Sequence, residues 1–258
     1  MEPKHHPADV FSSYDEFFSS SRSIQFIEVS CLMKNTISDF GRFYTDIYLD
    51  AFPDENEREE LGNFLKYLKR AMNAEEYRYH IVLAKDENDR IVGGCIFNYF
   101  KKSNTGVIEF LAVRANLQSR GIGTIIYKHV LSVLAKDARQ MNAKMLDYVC
   151  CEIDSPKCSK AKIKKHLYFW NKNNFWRVNF DYIQPALSNQ QNFVTGLWFT
   201  ISPQNKFCNE VPSKLIQDIL YDYLKFSMSI EDPAKCPEYI GMEKQIMKQK
   251  ALTLTKII

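Results

Sequence analysis

Apolar positions along this chain change their period repeatedly, and each change marks an element. Residues 24–29 read as a short strand. Over 36–50 and again over 57–72 the spacing becomes helical, through Phe40, Phe43, Tyr44 and Ile47 and then Leu61, Phe64, Leu65 and Leu68, with Pro53 dividing two helices. β-rich runs at 80–85 and 91–100 flank the turn-like stretch Asp86, Glu87, Asn88, Asp89 and Arg90, which predicts a hairpin; a third strand follows at 106–113. Residues 124–138 present Ile125, Ile126, Val130, Leu131, Val133 and Leu134 as one helix face, and 145–153 is an apolar strand. A Lys-rich connection leads to a helix at 163–173, strands around 178–183 and 196–201, and a helix at 213–230. Beyond Pro233 the chain turns polar and basic.

Strands interleaved with helices and preceded by an antiparallel hairpin indicate an α/β fold with a mixed sheet and helices on its faces. The pattern divides the chain into a loose, Ser-rich segment at 1–23, a domain at 24–205 and a helical C-terminal extension at 206–258. With 258 residues, 45% of them hydrophobic, there is enough apolar material for a sizeable core. Charge narrows the partners: 34 Lys and Arg against 31 Asp and Glu leave +3, too little for a dedicated nucleic-acid binder. No run approaches the roughly 18 apolar residues of a membrane helix, and the N-terminus lacks the apolar stretch of a secretory signal. Seven cysteines, at 31, 95, 150, 151, 158, 208 and 236, have neither zinc spacing nor disulfide-scaffold density. They read as reduced thiols of a cytoplasmic protein with no metal.

Chemistry concentrates between Val107 and Thr124. Glu109 is the only charge in the apolar run VIEFLAV, and a lone carboxyl in such a strand is either paired at the rim or held with a raised pKa, as a general base near neutral pH requires. After the strand, Gln118, Ser119, Arg120, Gly121, Ile122 and Gly123 form a loop that runs into a helix at Thr124. Its glycines allow close backbone approach, and the helix start favours an anion such as a diphosphate. The loop satisfies neither the P-loop pattern nor the three-glycine dinucleotide fingerprint.

The segment FLAVRANLQSRGIGTIIYKHVL resembles the acetyl-CoA signature of the GCN5-related N-acetyltransferases (GNAT). The resemblance implies that Leu111, Ala112 and Val113 end a central strand whose backbone binds pantetheine, and that Gln118, Ser119, Arg120, Gly121, Ile122, Gly123 and Thr124 cradle the pyrophosphate. It further implies transfer of an acetyl group from acetyl-CoA to a primary amine by direct attack in a ternary complex, in an enzyme with no metal. FWNKNNF at 169–175 is similar to the family's helix-ending pattern, with two departures. Trp170 stands where the family often has a Tyr as general acid, and Asn174 stands where it has a glycine, although Asn also takes a left-handed cap. Tyr168 is a weak replacement acid, since two residues along a helix turn it about 200° away from position 170.

Glu152 ends the strand at 145–153 and is the second candidate base, or the holder of a cationic amine where that strand diverges from the Glu109 strand. The segments at 152–156 and 182–187 are similar to a bacterial-type branch of the superfamily, which implies that Tyr182 and Gln184 line the acceptor pocket; a strand-end turn set by Pro185 is the plainer reading. Lys157, Lys160, Lys162, Lys164 and Lys165 read as a solvated face, His80 and His129 have no triad or metal partner nearby in sequence, and Cys150 and Cys151 must face opposite sides of their strand. Two other functions stay open: a non-catalytic acyl-CoA-binding module, and an acetyltransferase acting on protein lysines or N-termini that docks through the extension. A small amine acceptor needs a closed pocket and a protein acceptor an open groove, so truncation after about residue 205 is expected to separate them. The extension also offers a surface for a homodimer.

Overall fold

The computed structural model describes residues 24–156, 163–205 and 208–257. The segment at 1–23, and Lys157, Lys160 and Lys162 of the basic connection, lie outside the described residues.

Alternation and helical spacing become elements where expected. Strand β1 (Gln25–Glu28) is followed by α1 (Lys34–Phe43), which continues through a π-helical turn at Tyr44–Tyr48 and a last turn at Leu49–Ala51, then by α2 (Leu61–Ala71). The hairpin β2 (Tyr77–Lys85) and β3 (Ile91–Phe100) leads to β4 (Thr105–Val113), α3 (Ile122–Gln140), β5 (Tyr148–Asp154) and α4 (Ile163–Lys172). Next come β6 (Trp176–Val178), β7 (Leu197–Pro203), β8 (Glu210–Pro212), α5 (Ser213–Asp222) with a second π-helical turn at Tyr223–Ser227, α6 (Pro237–Ile246) and β9 (Ala251–Lys256).

The nine strands of the described residues join one sheet in the order β1-β2-β3-β4-β5-β7-β6-β9-β8, and among them only β4 and β5 run parallel. Each face carries its own core. On one face Val107, Ala112 and Cys150 pack with Phe40, Phe43 and Phe64 of the first helices and Ile216, Ile219 and Leu224 of the C-terminal ones. On the other, Ile108, Val149 and Cys151 pack with Ile126, Val130 and Leu134 of α3 and Leu167 of α4. Cys150 and Cys151 therefore face opposite sides, and burial pushes both thiols up.

Two expectations are corrected. The strand expected at 178–183 ends at Val178, because the neighbour beyond it is α6 rather than a strand: the Asp181 N–H donates to Gln245 Oε1 and the Ile183 N–H to Met242 Sδ. The C-terminal segment is more than helical, since β8 and β9 extend the same sheet. Leu252 and Leu254 alternate inward while Thr253 and Thr255 look out, a period-two signal that the basic composition masks. Among the described residues no helix is long and apolar enough to cross a membrane.

Candidate active site

The parallel pairing of β4 with β5 runs from Thr105 opposite Tyr148 to Ile108 opposite Cys151 and stops there. Beyond it β5 stays with β7, where Glu152 faces Phe199, and β4 stays with β3. Glu109 and Glu152 are the next residues on the two strands, so the fork opens with a carboxyl on each prong. A bulge adds to this: Ile96 pairs with Phe110 and Phe97 with Ile108, leaving Glu109 as an extra residue. Bulges of this kind re-aim side chains, and here Glu109 and Phe110 both reach the same cavity.

That cavity holds about 30 Å³, room for one or two waters, and is lined by Glu59, Glu109, Phe110, Glu152, Gln184, Leu187, Tyr223, Ser227 and Met228. Three carboxyls face it and none of its lining residues is basic. Burial pushes the Glu109 carboxyl up to about 8, against hydrogen bonds from Ser227, Asn98 and Tyr79 that favour its charged form; Glu59 adds like-charge repulsion. The Tyr79 hydroxyl donates to Glu109 Oε2 at 3.2 Å and the Asn98 amide to Oε1. Burial likewise raises Glu152 to about 7, opposed by hydroxyl bonds from Tyr182 and Tyr223. Glu59, just before α2, accepts from the Glu60 N–H at 2.8 Å, from Asn63 at 2.7 Å and from the Tyr67 hydroxyl at 2.7 Å.

The sequence-predicted residues are thus partly gathered. Glu109, Glu152 and Gln184 line one cavity, and Tyr182 stands behind Glu152 as its hydrogen-bond donor. Gln184 is held by a backbone bridge to Val194 and by donation from Nε2 to the Asn56 carbonyl at 3.3 Å. Tyr168 is not gathered: it is 63% exposed on α4 and lines no part of the cavity. Trp170 packs among Tyr127, Phe169 and Phe175 as an apolar residue. Asn174 takes the left-handed conformation at φ 61°, and the Phe175 N–H closes on the Trp170 carbonyl, so this departure preserves the helix end. Glu59, Asn98, Tyr223 and Ser227 carry no motif; only their contacts reveal them.

Past Ile108 the edge of β4 that faces β5 has no strand partner among the described residues. Leu111, Ala112 and Val113 lie on that splayed end, where peptide groups are available to an extended ligand. Gln118 Nε2 donates to the Val113 carbonyl at 3.2 Å and ties the loop to the strand end. Ser119 and Gly121 are left-handed, at φ 63° and 84°; no side chain caps the start of α3, and nothing lies within 4 Å of a Cβ built at Gly121. Free N–H groups of Ile122, Gly123 and Thr124 at a 19-residue helix, with open space before them, fit a diphosphate. Ser119, Arg120 and Gly121 are exposed.

The model of the acetyltransferase (GNAT) family matches residues 40–157, which span α1 to β5 and contain the loop and both prongs of the fork. Over those residues the chain carries a GNAT-type acetyltransferase domain. That domain makes it an acyltransferase, and the GNAT family uses acetyl-CoA. The fold is similar to that of a putative GNAT-family acetyltransferase from Bacteroides thetaiotaomicron, at a TM-score of 0.57 and 16% identity, covering 80% of this chain and 99% of that one. It is also similar to a tandem GNAT protein from the clavulanic acid biosynthesis pathway, at 0.50 and 12%, covering 63% of this chain and 46% of that one. No curated protein matches the sequence.

Proposed function

We propose that this GNAT protein acetylates a small primary amine in a ternary complex with acetyl-CoA, with Glu109 as general base and Glu152 as the group that receives the acceptor's ammonium. The observation that carries the reading is the pair of carboxyls at the fork, both raised toward neutrality in a cavity without a basic side chain. An amine with a lysine-like pKa of about 10.4 arrives protonated at pH 7 and must lose a proton before it attacks. Acetyl-CoA, when bound, supplies the thioester. Glu109 accepts the proton from the attacking nitrogen, directly or through a water of the cavity. Backbone N–H groups at the splayed end of β4, near Val113, stabilise the oxyanion. The loop from Gln118 to Thr124 anchors the diphosphate and supplies binding energy remote from the reacting carbon. With an indole at position 170 and Tyr168 facing solvent, the departing thiolate is protonated by water.

The walls favour a small acceptor over a protein. Tyr223, Ser227 and Met228 of the C-terminal segment close one side of the cavity. An acceptor bearing its own carboxylate beside the amine would meet three carboxyls there, so an unbranched alkylamine is favoured over a free amino acid.

Calorimetric titration with acetyl-CoA tests the donor site, with Gly121→Asp as control because it adds a side chain and a negative charge at a left-handed position. Saturable binding that the variant loses is the expected result; no binding to the folded wild type sinks the reading. Glu109→Gln is then expected to keep acetyl-CoA binding while losing roughly 10²–10⁴-fold in turnover of an alkylamine found by screening.

A further inference from the structure

The C-terminal segment does more than cover the sheet. We infer that Ser227, at the end of its π-helical turn, is a positioning residue that holds Glu109 as a carboxylate acceptor facing the cavity, in concert with Asn98. This rests on the reading of Glu109 as the base.

The geometry is a closed set of donors. Asn98, fully buried on β3, uses both N–H groups of its amide, one to Glu109 Oε1 and one to Ser227 Oγ at 2.9 Å. Having accepted from Asn98, the Ser227 hydroxyl keeps its own proton to give, and Glu109, whose charged form it favours, lines the same cavity. Asn98 Oδ1 is left without a partner in a buried site. A buried amide that orphans its acceptor while giving both donors belongs to a niche built around a negative charge. Ser227 is 129 residues from Asn98 in sequence and 5% exposed, so the contact is made only when the C-terminal helices seat on the sheet. It lies in a π-helical turn, which rotates the last residues of α5 relative to a regular helix.

The groups that face Glu109 from the elements around it are Tyr79 of β2, Asn98 of β3, Glu152 of β5, Tyr48 of the first π-helical turn, Glu59, Tyr67 of α2, and Tyr223 and Ser227 of the second, with Cys95 of β3 behind it on the other face of the sheet. None is cationic. Neutral donors are therefore all that opposes burial and like-charge repulsion, and removing one raises the proton affinity of Glu109. Its folded-state value of about 8 lies above that of a free carboxyl, so the base form grows as pH rises through 8, and Ser227→Ala moves that transition higher.

The test is a carboxyl-¹³C NMR titration of the full-length protein labelled at Glu Cδ, in which the Glu109 resonance is the one that Glu109→Gln removes. Ser227→Ala is expected to raise the Glu109 midpoint by roughly 0.5–1 pH unit, which leaves roughly 3–10-fold less base form at pH 7, while Ser227→Thr keeps the wild-type midpoint. An unchanged midpoint in the alanine variant, or an equal rise in the threonine variant, overturns the inference. If Ser227→Ala does not fold, Ser227→Cys carries the same test with a weaker donor and the same direction of shift. Turnover separates the two readings: a shifted midpoint with Glu109→Gln still fully active removes the base assignment, whereas an inactive Glu109→Gln with no shift in Ser227→Ala removes only the role of Ser227.

Discussion

His80 gains two carboxylate partners that its sequence neighbours do not reveal. Its Nδ1 meets Glu28 of β1 and its Nε2 meets Asp137 of α3 at 2.9 Å, while the ring stacks on Phe97 at 4.9 Å. Burial by itself would lower the imidazole, but the bonds its ring N–H groups give to Asp137 and Glu28 raise it to about 9. Phe97 belongs to the core on the α3 face, so this clamp sits across the sheet from the cavity and serves to pin the edge strand to the helix. A folded-state value above the ordinary 6.5 means that its stabilisation is complete below about pH 6.5 and is lost as pH climbs through about 9. Chemical denaturation across that window should show the wild type losing on the order of 1–3 kcal/mol that His80→Gln does not lose. Equal pH dependence in the two proteins would remove the clamp as its source.

At the scale of elements, the fork depends on how closely β3 and β4 approach α3. A Cβ at Gly93 of β3 would lie 2.7 Å from the Ala112 carbonyl and 2.8 Å from Ile126 Cδ1, and the backbone atom cannot swing aside. Gly93→Ala is therefore expected to cost about 1–3 kcal/mol, read from a urea midpoint. Because the displaced group belongs to the splayed end of β4, acetyl-CoA affinity should fall with it. Stability lost without any loss of affinity would mean that the strand end does not contribute to the donor site. Glu109 shows how a single bulge matters: alternation already turns it toward the face of Val107, and the added residue lets Phe110 share that face.

For the whole molecule, the C-terminal segment decides both stability and site. Truncation after residue 205 removes β8 and β9 from the sheet and strips Ile216, Ile219, Leu220, Leu224, Ile246 and Leu252, all fully buried, from one core. The truncated chain is expected to lose its cooperative melt and to bind a hydrophobic dye, where a separable docking arm would leave a folded acetyltransferase behind. What the sequence determined by itself was local. The element order follows from hydrophobic periodicity, the glycine loop before α3 from the backbone conformation demanded at Gly121, and the candidate Glu109 from its isolation in an apolar run. Periodicity says which face a residue takes, not which distant residue will share it. Only the tertiary structure set Glu152 beside Glu109 by ending one parallel ladder, brought Ser227 to Asn98 across 129 residues, gave His80 its two carboxylates and left Tyr168 in solvent. Those pairings arise from packing two helical layers onto one sheet, and burial there, rather than residue type, raises the two carboxyls at the fork.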